Sequence, residues 1–395
     1  MRLTKLFLEF FKSEQASGVI LILCAAASIA IANSPVGSGY LEFWHSKVGF
    51  ELGGFALKQS VEHWINDGLM AVFFLLIGLE IERELYAGEL SSLKKASLPL
   101  LAAVGGMAFP ALFHFLFNRG TEFQNGIGIP MATDIAFALG ALALLGSKIP
   151  ASLKVFLAAL AIVDDLGAIA VIALFYTDDL SILYLALALG VFIGLLVLNR
   201  LKVHALWAYL IPGLFMWYFM LESGVHATVT GVLLAFALPF GDGGEDSPSY
   251  KLQHFLHKPV AFFIVPVFAL ANTGILLGAG VLQGLLGSNS LGIFTGLFLG
   301  KPIGIALMCL LAVRLGISRL PEDLTWRHIV GAGFLGGIGF TMSIFITLLA
   351  FNDPGLIQSS KIAVLLTSLL AGATGYAILN TNGILPSSSP TRSSP

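Results

Sequence analysis

Two adjacent aspartates, Asp164 and Asp165, stand inside FLAALAIVDDLGAIAVIALFYT, a run with no other charged residue. A third, Asp134, interrupts IPMATDIAFALG, and a lysine, Lys301, interrupts FLGKPIGI. Hard cations take oxygen ligands, and carboxylates are the strongest that side chains offer. Burial and a neighbouring like charge both disfavour an ionised carboxylate. The protons of such a pair belong to the pair rather than to either residue. A site of this kind holds protons or a small cation, and each displaces the other. That is the minimal requirement for exchange. Lys301 is a candidate ion-pair partner for one of the acids. The residues also allow a plainer reading, in which Lys301 only neutralises a fold-stabilising acid and Asp134 only balances helix-end dipoles.

The surroundings of these residues fix the solvent they work in. Of 395 residues, 57% are hydrophobic and 11% are charged, against about 25% charged in soluble domains. Such a chain cannot cover a water-facing surface, which excludes most soluble enzymes. The net charge is −2 and no basic block occurs, so nucleic acid is not an expected partner. Cys24 and Cys309 both lie in apolar runs, and no disulfide framework is available to them. The expectation is an all-α polytopic membrane protein with membrane lipid as its surroundings; the exchange chemistry of the acid pair, not the composition, points to a transporter rather than an enzyme, with no cofactor.

A membrane-spanning helix needs roughly 20 apolar residues. Twelve spans are expected, near 16–33, 64–81, 96–117, 126–145, 153–176, 182–198, 204–220, 224–238, 260–277, 291–313, 328–349 and 362–379. The eighth is short. Asp164 then lies about 17 Å into its helix at 1.5 Å per residue, near the bilayer midplane. Neighbouring residues on a helix differ in direction by about 100°, so Asp164 and Asp165 point different ways. With the N-terminus inside, 16 of the 21 lysines and arginines fall on the cytoplasmic side, as the positive-inside rule requires. Lys47, Lys58, Arg119 and Lys361 fall outside, and Lys301 lies within a span. Both termini are therefore expected in the cytoplasm.

The first apolar run reads as an uncleaved span rather than a secretory signal, because eleven spans follow it. Ahead of it, Leu3, Leu6, Phe7, Phe10 and Phe11 predict a short helix on the membrane surface. KVGFEL and FALKQ alternate about Gly53-Gly54, predicting a short outer β-hairpin. Residues 1–385 read as a single transmembrane domain, and residues 386–395 as a disordered tail.

Two spans are interrupted. Gly126, Gly128 and Pro130 precede Thr133 and Asp134 in span four; Gly333, Gly336, Gly337 and Gly339 break span eleven. Proline removes a helix hydrogen bond, and irregular backbone at membrane depth survives only inside protein or beside a cavity. Each broken span is the middle of a triplet, spans 3–5 and 10–12, and the two triplets have opposite orientations. The pattern predicts inverted repeats over about 96–176 and 291–379. The pairs Gly190/Gly194 and Gly296/Gly300 read as close helix contacts.

WINDGLMAVFFLLIGLEIERE, IPMATDIAFALG, the VDDLGA segment, SGVHATVTG, FLGKPIGI and GIGFTMSIF occur in that order. Together they resemble the NhaA family of bacterial sodium/proton antiporters, from about Ser13 to Thr381. The resemblance implies electrogenic exchange in the inner membrane, with two protons entering for each Na⁺ or Li⁺ expelled, serving Na⁺ and pH homeostasis. It implies that Asp164 and Asp165 hold the ion or protons, with Asp164 paired to Lys301. Thr133 and Asp134 would belong to the crossing of the two unwound helices near the midplane. The hairpin around Gly53-Gly54 would join a homodimer.

The resemblance also carries a pH response onto Glu80, Arg83, Glu84, His254, His257 and His226. From the residues alone, Glu80, Arg83 and Glu84 fit an ordinary helix-end salt bridge equally well, and His226 is a lone histidine on an apolar face. Gln253 stands where the family can have an acid, and Glu82 where it can have a base, so the pH set-point is open. Asp67 fits either an outer funnel or a helix-start cap, and Asp178-Asp179 a solvated loop. The main alternative is a sodium-coupled solute symporter, although the spans offer few polar residues for a solute. An intramembrane aspartyl protease built on Asp134 and Asp164 would need carboxyls sharing a proton, and its GxGD context is absent. A channel would have no need of a titrating pair beside a lysine.

Overall fold

The computed structural model describes residues 5–52, 55–177, 180–278 and 283–381 and is mostly helical. In lipid, backbone N–H and C=O groups can bond only to one another, and a helix satisfies them all within one segment. The chain begins with α1 (Lys5–Ala32) and α2 (Gly37–His45), then β1 (Lys47–Leu52) and β2 (Phe55–Ser60). Next come α3 (Val61–Tyr86) and α4 (Leu93–Asn118). A 3-10 segment, Glu122–Met131, leads at a 40° bend into α5 (Ile135–Ala143). Then follow α6 (Ala151–Phe175), α7 (Ile182–Arg200), α8 (Trp207–Glu222) and α9 (Val229–Ala237). The last elements are α10 (Pro248–Asn272), α11 (Ser288–Arg314), α12 (Trp326–Gly336), α13 (Phe340–Ala350) and α14 (Pro354–Asn380). α12 and α13 meet at 46°.

Among the described residues, seven helices are long and apolar enough to cross a membrane, or up to ten if each bent pair counts once. α8, with 16 residues, and α9, with nine, fall below that length. Both interruptions expected in the sequence are present, at 132–134 and 337–339.

β1 and β2 pair antiparallel, with Lys47 opposite Ser60 and Leu52 opposite Phe55. The Trp64 indole donates to the Val48 carbonyl (2.9 Å), tying the hairpin to the start of α3. The Gly53-Gly54 turn, Asp178-Asp179 and the tail from 386 lie outside the described residues.

Several boundaries differ from expectation. α1 runs unbroken from Lys5, so among the described residues the segment expected as a separate surface helix is continuous with the first span, and Leu3 lies outside them. The helix of span nine starts at Pro248 rather than near 260 and takes in KLQHFLHKP, because Ser247 caps the Tyr250 N–H and Pro248 pre-sets the first turn. Lys361 is not in an outer loop; it is buried two turns inside α14, which Asp353 caps at the Leu356 N–H.

Glycines bring the central helices together. A Cβ on Gly105 of α4 would overlap the Gly304 carbonyl of α11, and a Cβ on Gly304 would overlap the Gly105 carbonyl. Gly231 of α9 lies directly on the Ala71–Leu75 backbone of α3. Gly296 and Gly300 pack on Pro130 and Pro110, as expected of close contacts. Gly190 and Gly194 do not: a Cβ on either meets nothing within 4 Å. α7 leaves most of its surface exposed, with only Ala188 and Leu195 buried, so these glycines have no facing helix.

Candidate functional site

The two breaks leave helix-end N–H and C=O groups inside the protein, and each requires a partner. Asp134 serves both. Its Oδ1 accepts from the Phe137 N–H (3.1 Å), capping α5; its Oδ2 accepts from the Thr341 N–H (3.1 Å) and from the Thr341 hydroxyl, capping α13. The Asp134 N–H donates to the Ile338 carbonyl (2.7 Å), joining the breaks directly. Each helix N-terminus carries about half a positive charge, so one buried carboxylate faces two positive ends. Asp134 therefore sits at two helix starts, where its sequence context allowed a dipole-balancing acid.

Further backbone groups at and near the breaks are covered by residues that the sequence did not single out. Ser368 Oγ of α14 accepts from the Gly339 and Phe340 N–H groups (3.2 Å each). Ser343 Oγ donates to the Ile129 carbonyl (2.6 Å). The Tyr176 hydroxyl donates to the Asn125 carbonyl (2.8 Å) and accepts from the Gly128 N–H (3.3 Å). Thr341 and Ser343 lie within GIGFTMSIF, next to the glycines, and that adjacency was the available signal. Ser368 and Tyr176 had none.

Thr133 immediately precedes Asp134 and faces the other way, towards α6 and α11. Lys301 follows a π-helical turn, Gly296–Gly300, and is fully buried. Its Nζ donates to Thr133 Oγ1 (2.7 Å) and to Asp164 Oδ2, forming an ion pair. The Thr133 proton can go to Asp164 Oδ2 (2.7 Å) or to the Gly336 carbonyl (2.8 Å). α6, α11 and both broken spans thus meet around one carboxylate. Asp164 and Asp134 share no hydrogen bond, so the geometry of an aspartyl dyad is absent.

Asp165 points elsewhere on α6, as helical spacing requires. It is almost wholly buried and within electrostatic range of Asp164, Asp134, Glu80 and Lys301. Asp164 Oδ1 and Asp165 Oδ1 are buried and have no hydrogen-bond partner. Unsatisfied buried oxygens call for a proton, a water or an ion. Two of them on adjacent carboxylates fit a hard cation or protons.

The six residues with an expected pH role do not form one cluster. Glu80 of α3 and His257 of α10 line the same small cavity, about 40 Å³, together with Ser17. Arg83 lies over the Tyr250 ring (5.9 Å) and His254 stacks on that ring at 6.3 Å, so Tyr250 is the link between them. Glu84 accepts from the Glu89 N–H (2.9 Å), and neither Glu84 nor Glu80 forms a salt bridge with Arg83. His226 is separate. It precedes α9, which runs alongside α3 with Gly231 against Ala71 and Ala235 against Gly78, so His226 lies towards the Asp67 end of α3. Glu82 is buried, accepting from Ser249 Oγ (3.0 Å). Asp67 is not a cap; it pairs with His63 one turn earlier (2.8 Å), and Ser60 caps the helix.

Long apolar helices, two of them broken around a buried acid pair and a lysine, define a multi-pass membrane transporter. The comparisons give the family. The family model for Na⁺/H⁺ antiporter 1 matches residues 8–379. The chain is 60% identical over 376 residues to the Na⁺/H⁺ antiporter NhaA of Flavobacterium psychrophilum, covering 95% of this chain and 96% of that one. It is 56% identical over 375 residues to the protein of that name from Cytophaga hutchinsonii, covering 95% of each. It is 49% identical over 385 residues to that of Bordetella bronchiseptica, covering 96% and 97%. The chain belongs to the NhaA family of Na⁺/H⁺ antiporters, as its motifs indicated.

Proposed function

We propose that this chain exchanges cytoplasmic Na⁺ or Li⁺ for external protons across the bacterial inner membrane, at Asp164 and Asp165. The observation that carries this is the pair of unpartnered buried carboxylate oxygens beside the Thr133–Asp164–Lys301 cluster. Protons or a cation satisfy those oxygens, but not both together, so loading one releases the other. Lys301 and Thr133 hold Asp164 in place from α11 and the first break, and Asp134 keeps both breaks open. Two protons entering for each Na⁺ makes the exchange electrogenic, and alternating access carries the loaded site from one side to the other.

The frame we assign is one domain over 1–385 with twelve spans and both termini cytoplasmic, built on inverted repeats at 96–176 and 291–379. In support, the leading helices of the two triplets meet at Gly105 and Gly304, and the middle ones at their breaks. A homodimer through the hairpin and a pH response from Glu80, Arg83, Glu84, His226, His254 and His257 complete the reading. Glu82 and Gln253 give this chain its own set-point. Solute symport is not favoured, because the polar groups at the breaks are consumed by capping.

Purified protein in liposomes with an acidic interior and a pH-sensitive dye tests this. Na⁺ and Li⁺, but not K⁺, are expected to dissipate the gradient, at neutral or alkaline pH. Failure of both ions at both pH values overturns the exchange reading and points to solute symport.

A further inference from the structure

One side chain beside the acid pair offers no oxygen at all. Ile305 follows Lys301 by four residues on α11, so the two share a helix face, and Ile305 is fully buried. A Cβ placed on Gly106 of α4 would lie 3.0 Å from Ile305 Cγ1, 3.3 Å from its Cδ1 and 3.7 Å from Asp164 Oδ1. A Cβ placed on Gly336, the last residue of α12, would lie 3.3 Å from Ile305 Cδ1 and 3.8 Å from Thr133 Oγ1. The tip of Ile305 is therefore held between two bare backbone faces, and it shares the space over Gly106 with Asp164 Oδ1, which has no partner.

We infer that Ile305, seated against Gly106 and Gly336, is the apolar wall that limits the space beside Asp164 Oδ1 and selects small cations. The inference rests on the proposed ion site. A methyl group supplies no ligand, and water stays only where a space is both roomy and polar. A cation at Asp164 Oδ1 must therefore complete its shell from the remaining directions, through Asp165 and a few waters. Small ions are satisfied by few oxygens; K⁺ needs more of them and more room. Because Ile305 is on the helix of Lys301, the wall moves with the lysine. The two glycines make the opposite contribution, since a side chain on either would push Ile305 or crowd the oxygens.

The test is equilibrium binding of radioactive Na⁺ to the purified full-length protein, with LiCl and KCl as competitors. In Ile305→Ala, K⁺ should compete with Na⁺ at least about tenfold better than in the wild type, which corresponds to 1.4 kcal/mol. Ile305→Val, which removes the Cδ1 wedge, should fall between them. Gly106→Ala should act in the opposite sense, weakening Na⁺ about tenfold and Li⁺ less. If Ile305→Ala is not recovered as monodisperse protein, the opposed pair Ile305→Val and Gly106→Ala decides. Wild-type Na⁺ binding with unaltered ion ratios in these variants overturns the wall. Absence of Na⁺ binding in the wild type overturns the ion site, and this inference with it.

Discussion

Asp165→Asn should reduce Na⁺-driven proton movement to the level of protein-free liposomes while leaving the amount and thermal stability of the folded protein unchanged. The substitution keeps the shape of the side chain and removes its charge and its exchangeable proton. Asp165 Oδ1 has no hydrogen bond to lose, so the expected cost is smaller than that of breaking the Asp164–Lys301 ion pair. Asp164→Asn should also abolish exchange, but it should not be silent in stability. It leaves Lys301 buried opposite a neutral amide. Adjacent residues with the same chemistry are thus expected to separate in a melting experiment. Normal exchange in Asp165→Asn would remove that residue from the site.

The second large effect belongs to Lys301→Met. A buried ion pair gives little net stability, because desolvation offsets its attraction, yet removing one partner typically costs 3–5 kcal/mol. Lys301 and Asp164 are both fully buried, and the Lys301 Nζ also holds Thr133. Methionine fills similar space without charge and leaves Asp164 with only the Thr133 hydroxyl. The variant should melt well below the wild type in detergent. Adding Asp164→Asn to it should recover a large part of that loss without recovering exchange. If the double variant melts no higher than Lys301→Met, the ion pair is not the cause of the destabilisation.

What the sequence made legible follows from the cost of charge in lipid. Asp164, Asp165, Asp134 and Lys301 stood out because an ionisable group in an apolar run calls for an explanation. Gly126, Pro130 and the glycines of 333–339 marked the breaks because they interrupt helix hydrogen bonding. The caps were not legible in the same way. Ser368 and Tyr176 are single hydroxyls in apolar or loop sequence, and a serine in a helix ordinarily bonds back to its own backbone. Only three-dimensional packing aims them at orphan groups on another element. Tyr250 was hidden for a related reason: Arg83 and His254 come from distant segments, and the ring that joins them has no periodic signature. Lys361 was misplaced because the helix start at Asp353-Pro354 was read several residues too late. Gly190 and Gly194 carried a packing motif, but a motif names the surface available for contact, and α7 has no helix facing it there.

The claim that protons and a cation compete for one carboxylate pair can be tested without a membrane. Purified protein in weakly buffered detergent, with a pH-sensitive dye, is titrated with NaCl across acidic to alkaline pH, and radioactive Na⁺ binding is followed in parallel. Na⁺ binding accompanied by proton release in the wild type, with both lost in Asp165→Asn, is the result expected. Na⁺ binding to the wild type with no proton released at any pH would contradict it.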